Sequence, residues 1–163
     1  MATSKKVDTQ VVKLAGRNWL ASELLWAGLE VARPVRDWGI DLIAYVDLDE
    51  RVRNFVACPI QTKAATGAVF SLDPKYEKFP QLLLAYIWNL GIPAETKCFA
   101  LTYTEARIVA DEMGWTKTAS WLTGGNSGRR GYSTTAASKR LRSLLDAHEM
   151  TFEKWWRKIS NLI

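Results

Sequence analysis

The chain has 163 residues, 48% of them apolar and 24% charged, which suits one folded domain with a substantial core and excludes a disordered chain. No apolar run reaches the roughly 20 residues that span a bilayer, and no signal segment follows Met1-Ala2-Thr3-Ser4-Lys5-Lys6, so a cytoplasmic location with no membrane partner is expected. The single histidine, His148, excludes a multi-histidine zinc site. Cys58 and Cys98 lie far apart in apolar runs and read as buried thiols.

The net charge of +5 is unevenly placed: residues 1–128 carry 14 basic and 14 acidic side chains, whereas residues 129–163 carry 8 and 3. Such a C-terminal patch either attracts a phosphate-bearing partner or is a solvated helical surface.

In chain order, residues 8–27 read as a helix with Asp8 as its cap and Gly28 as its stop, Gly16, Trp19, Glu23 and Ala27 sharing one face. Strands are expected at 29–35 and 40–46, and a turn at 47–50 leads into a third at 53–63. Pro59 marks that strand as a local edge or a bulge. A short strand at 68–72 and a helical turn at 74–79 precede the apolar run 82–88, which reads as a strand covered on both faces. A further strand at 96–101 and a helix capped by Thr104 and running to Met113 complete the pattern. Residues 124–132 form a flexible, basic, glycine-rich break that lacks the Gly-Lys-Ser/Thr ending of a phosphate loop, so no nucleotide cofactor is expected. Helices are expected at 135–147 and 152–163. The whole reads as one domain, 1–163, with 8–113 as an α/β core and 124–163 as a basic loop and helical extension.

Asp41 lies in an otherwise apolar strand, and Gln61 and Lys63 share one face of the next. If those strands pair, the three groups converge. Asp41 and the neutral carbonyl of Gln61 can ligate a divalent ion, the Thr62 backbone carbonyl can complete the shell, and Glu23 can add a carboxylate or hold a metal-bound water. Oxygen donors suit magnesium or manganese, and Lys63 can orient a water or offset charge on a phosphate.

Glu23, Gly39-Ile40-Asp41 and Gln61-Thr62-Lys63, in that order, resemble the PD-(D/E)xK nuclease superfamily. The likeness is greatest to small members akin to Holliday-junction resolvases, restriction endonucleases and TnsA-type transposase endonucleases. The resemblance implies a restriction-endonuclease-like three-layer α/β fold, with a mixed four- or five-stranded sheet flanked by helices. It also implies Mg2+-dependent (or Mn2+-dependent) hydrolysis of DNA, with Glu23 and Asp41 as metal-site acids and Lys63 as the catalytic lysine. Gln61 departs from the commoner Asp or Glu, which shifts the charge of the site onto Asp41 and Glu23. The alternative is a nuclease-fold protein that binds nucleic acid or assembles a complex without cutting.

Arg129, Arg130, Lys139, Arg140 and Arg142 are the candidate backbone-binding cations, and Tyr132 either stacks on a base or anchors its loop. Trp19, Trp26, Trp88 and Trp121 read as packing residues. Trp155 and Trp156 cannot both face the core, which allows a homodimer surface.

Overall fold

The computed structural model describes residues 7–36, 38–46 and 55–161. The turn expected at 47–50, the first residues of the strand expected from 53 and the end of the last helix lie outside the described residues. Helix α1, Thr9–Trp26, starts where the Asp8 side chain accepts from the Gln10 N–H. It ends before Gly28, whose φ of 84° suits glycine. The strands are β1, Glu30–Ala32; β2, Leu42–Tyr45; β3, Ala57–Ala64; β4, Phe70–Leu72; β5, Leu83–Trp88; β6, Lys97–Thr102; and β7, Tyr132–Thr134. Helices α2, Tyr103–Glu112, and α3, Ala119–Thr123, precede β7, while α4, Lys139–Leu145, and α5, Phe152–Ser160, follow it.

Five strands form one sheet in the order β1-β2-β3-β5-β6. All its pairs are antiparallel except β3 with β5, which is parallel. Strand alternation divides the core. Leu83, Ala85 and Ile87 face α1 and α5, where Leu20, Leu24, Trp155 and Ile159 are buried. Leu84, Tyr86 and Trp88 face the opposite layer, with Phe70, Ala106, Val109, Trp115, Trp121, Leu141 and Leu145. This is the expected three-layer α/β arrangement, and all six residues of β5 are buried.

Several boundaries differ from the sequence reading. Pro59 sits in register with Ile43 of β2, in a strand at the middle of the sheet. The ladder to β5 begins one residue later, at Ile60 and Leu83, so the missing N–H is tolerated where the strand is locally one-sided. The cap of α2 is Thr102, not Thr104: its side chain accepts from Glu105 N–H while Glu105 accepts from the Thr102 N–H, a reciprocal capping box. The glycine-rich stretch is a built turn that leads into β7, and β7 pairs antiparallel with β4 as a second, two-stranded sheet. A Cβ on Gly131 would lie 2.8 Å from the Leu72 carbonyl oxygen, so this close approach of two backbones requires glycine.

Helix α1 packs through the buried Gly16, Leu20, Ala21 and Leu24, with Trp19 and Ala27 partly buried against the same core. Trp26 is 76% exposed, against expectation. Trp155 is buried and Trp156 faces outward, as their adjacency requires. Cys58 and Cys98 are both free and buried, and burial pushes the Cys58 thiol up to about 12. Among the described residues no helix is long and apolar enough to cross a membrane.

Candidate functional site

Strand β3 runs on past the start of β2, and the candidate site forms at that step. The last backbone bond between them is from the Asp41 N–H to the Ile60 carbonyl, at 2.9 Å. Beyond it the Asp41 side chain takes over as acceptor. Its Oδ2 receives the Thr62 N–H at 2.7 Å and the Thr62 hydroxyl at 2.9 Å. Its Oδ1 pairs with Arg17 Nη2 of α1 at 2.7 Å, and the Asp41 side chain is only 9% exposed. A carboxylate this covered is stable as an anion only with such partners.

Gly16 makes the Arg17 contact feasible. A Cβ on Gly16 would lie 2.5 Å from Cβ of Ala64, so only glycine lets the helix lie this close to β3. The adjacent Arg17 then reaches across to Asp41. Glu23, six residues further on, does not line the Asp41 cleft. Its charge acts on Cys98 of β6, and burial raises its own pKa. The helix therefore presents a cation, not a carboxylate, to Asp41.

A cavity of about 280 Å3 is lined by Lys13, Arg17, Asp41, Gln61, Thr62 and Lys63. Four residues chosen from sequence thus meet in one place: Asp41, Gln61, Thr62 and Lys63. The Gln61 Oε1 is buried without a hydrogen-bond partner. Such an acceptor is costly unless a ligand or water satisfies it. Burial depresses the pKa of Lys63. The nearby Lys75 adds to this, Asp41 and Asp73 oppose it, and Lys13 adds a smaller push downward. The Lys63 Nζ also stands 5.9 Å from the centre of the Tyr76 ring.

Lys63 belongs to a second cavity of about 290 Å3, where it meets Asp73, Tyr76, Arg129, Arg130 and Tyr132. Arg129 and Arg130 continue with Asp73 and Lys75 into a third. The Asp41 cavity and the second share Lys63, and the second and third share Asp73, Arg129 and Arg130, so a run of basic groove extends from Lys63 towards the two arginines. Of the cations chosen from sequence, Arg129 and Arg130 line this groove. Arg130 is fixed by its Nε donating to the Trp121 carbonyl at 2.9 Å.

Tyr132 also lines the groove, but its ring stacks on Trp115 at 4.5 Å, so it anchors the loop. Lys139, Arg140 and Arg142 on α4 line none of these three cavities. Arg140 pairs with Glu112 at 3.2 Å, and Arg142 lies over Trp88 with its Nε on the Ala137 carbonyl.

No family model, curated protein or solved structure matches this chain. The mixed sheet flanked by helices is nevertheless compatible with a restriction-endonuclease-like fold in general. Among the described residues, no three histidine, cysteine, aspartate or glutamate side chains gather as a metal-binding group.

The sequence reading overlooked Arg17, Lys13, Asp73 and Tyr76. Lys13 and Arg17 are four apart and so share a helix face, a signal present in the sequence. The Asp73-Pro74 pair is a legible cap: Asp73 accepts from Lys75 N–H at the start of the 3-10 turn Pro74–Lys78. What neither signal could say is that both segments border Lys63.

Proposed function

We propose that the chain is a DNA endonuclease that seats a phosphodiester over Lys63, between the Asp41 pocket and the Arg129/Arg130 groove, and hydrolyses it with a divalent ion. The observation that carries this reading is the meeting of Asp41, the partnerless Gln61 oxygen and the desolvated Lys63 in one basic cleft.

The donor set fits magnesium or manganese in one form only. A preformed protein cage would need more carboxylates than the described residues of the cleft supply, but magnesium commonly binds through one or two carboxylates together with waters and substrate phosphate. Asp41 and Gln61 Oε1 would hold it, with the Thr62 carbonyl as a backbone donor, and Glu23 is left outside. When bound, such an ion polarises the phosphate and makes its water more acidic.

The chain's own contributions follow from what surrounds the cleft. Thr62 fixes the Asp41 carboxylate through two hydrogen bonds. Arg17 neutralises that carboxylate in the absence of substrate, and its guanidinium, close by, is a ready partner for a phosphate oxygen. Lys63, when protonated, offsets negative charge developing on the phosphate. Its lowered pKa also brings it closer to accepting a proton from an attacking water. Arg129 and Arg130 position the backbone beyond the cut without reading sequence.

A second reading has its own support. Among the described residues, the cleft is lined by one carboxylate, already paired with Arg17, and by three cations, which favours a bound phosphate over a bound metal. On that reading the chain is a nuclease-fold module that binds nucleic acid without cutting it.

The two are separated by incubating duplex, single-stranded, flapped and four-way DNA with magnesium, manganese or chelator, using wild type, Asp41→Ala and Lys63→Met, with binding measured in parallel. Metal-dependent cuts that disappear in folded variants support the endonuclease. Binding by the wild type without any cut supports the second reading, and neither binding nor cutting removes both.

A further inference from the structure

Beside the Asp41 cleft lies a fourth cavity, of about 560 Å3, with a different character. Its floor is apolar, made by Ile40, Pro59, Leu82 and the Tyr76 ring. Its walls include two aromatic side chains left in water: Trp38 is 80% exposed and Phe79 is 54% exposed. Gly39, Lys75 and Lys78 complete the lining, and the guanidinium of Arg36 sits 5.1 Å over the Trp38 ring. Contiguous exposed apolar patches mark interaction sites, and aromatic faces beside cations are the chemistry that takes a nucleobase and its phosphates.

The place of this pocket matters as much as its lining. Ile40 precedes Asp41 directly. Pro59, Gln61 and Lys63 alternate along one face of β3, so the floor of the pocket lies about 7 Å along the strand from Gln61. Tyr76 lines both this pocket and the groove over Lys63, and Lys75 lines both this pocket and the Arg129/Arg130 end. A strand whose phosphate lies over Lys63 therefore brings the base of a neighbouring nucleotide to Trp38 and Phe79. Paired bases in a duplex have no free faces to offer such a pocket, whereas an unpaired or extruded base has two.

From this juxtaposition we infer that the Trp38/Phe79 pocket holds one unpaired nucleobase, so that the substrate carries a single-stranded or unpaired nucleotide next to the phosphate in the cleft. This inference rests on the nucleic-acid reading of the Lys63 cleft. It narrows that reading from DNA in general to strands with an unpaired base.

The test uses two DNA probes of equal length, a continuous duplex and the same duplex with one central unpaired 2-aminopurine, without metal so that nothing is cut. Affinity and 2-aminopurine fluorescence are measured for wild type, Trp38→Ala, Phe79→Ala and, as a control on the cleft, Lys63→Met. The expected result is tighter binding of the unpaired probe with quenched fluorescence. Trp38→Ala or Phe79→Ala should weaken that binding by about tenfold, as loss of one stacking partner does, and leave duplex binding unchanged. Lys63→Met should weaken both probes. Equal affinity for both probes, or no effect of either aromatic variant, overturns the pocket and leaves the cleft reading standing. No binding of either probe overturns both. Since Trp38 and Phe79 are exposed, loss of binding cannot be blamed on a lost core, and unchanged urea midpoints verify this.

Discussion

Asp41→Ala tests the central geometry most directly, because the carboxylate serves three donors at once. Removing it leaves the Thr62 N–H and hydroxyl without their acceptor and takes the Asp41 carboxylate from the Arg17 guanidinium. An unsatisfied buried donor costs about 1–3 kcal/mol, and breaking a fully buried ion pair costs about 3–5 kcal/mol. Arg17 is 27% exposed, so water replaces part of its loss. The Thr62 bonds are part-buried, so their donors too recover only part of the loss from water. The expected cost is about 2–4 kcal/mol, read as a lower urea midpoint at unchanged slope.

A cycle with Arg17→Met isolates the ion pair, since the Thr62 losses and the other contacts of Arg17 cancel. A coupling of about 1–2 kcal/mol is expected. A cost below about 0.5 kcal/mol for Asp41→Ala, or additivity of the two changes within about 0.5 kcal/mol, would refute the description of Asp41 as the hub of the site.

Further outcomes follow from the same structure. Lys63 has a depressed pKa in the fold against 10.5 for an ordinary lysine. Between those values the unfolded chain binds more protons, so Lys63 opposes folding at neutral pH and ceases to as pH rises through that window. Lys63→Met should therefore be at least as stable as wild type at pH 7, with its advantage shrinking by pH 10 in urea titrations. A growing advantage would contradict the desolvation of Lys63.

For Glu23 the sign reverses in pH. Burial raises its pKa above 4.5, so its ionisation opposes folding above that value, and Glu23→Gln should gain stability at pH 7 and lose the gain near pH 4. Metal-dependent cleavage reduced as far as in Asp41→Ala would restore Glu23 to the site.

Gly16→Ala should lower the urea midpoint. Its Cβ meets Ala64 Cβ at 2.5 Å, and an overpacking cost of about 1–3 kcal/mol exceeds the roughly 0.5–1 kcal/mol that alanine contributes within a helix. Adding Ala64→Gly should recover most of the loss, and a stabilised single variant would contradict the close approach of α1 to β3.

Local chemistry made most elements legible in the sequence. Asp8 and Gly28 bracket α1, the apolar run at 82–88 is the buried central strand, and the adjacency of Trp155 and Trp156 forces one inward and one outward. Asp41, Gln61, Thr62 and Lys63 could be grouped in advance because side chains alternate along strands and β2 and β3 are joined in sequence. Contacts between distant segments could not be read that way. Whether α1 offers Glu23 or Arg17 to the sheet depends on which turn lies over β3, and that is fixed by the fit of Gly16 against Ala64.

The glycine-rich stretch reads as a flexible break because glycine marks turns. It is a built turn, and the residues after it, Tyr132–Thr134, form a strand because β4, some 60 residues earlier by the register of Phe70 with Thr134, offers them a pairing edge. The Trp38 and Phe79 pocket likewise joins two turns that no periodicity connects. The sequence by itself determined most of the elements and the acidic-lysine strand pair, since those depend on spacing of a few residues. Tertiary structure alone decided that Arg17 meets Asp41 and that Arg129 and Arg130 line a cavity with Lys63, because helix docking and the β4–β7 pairing bring those segments together.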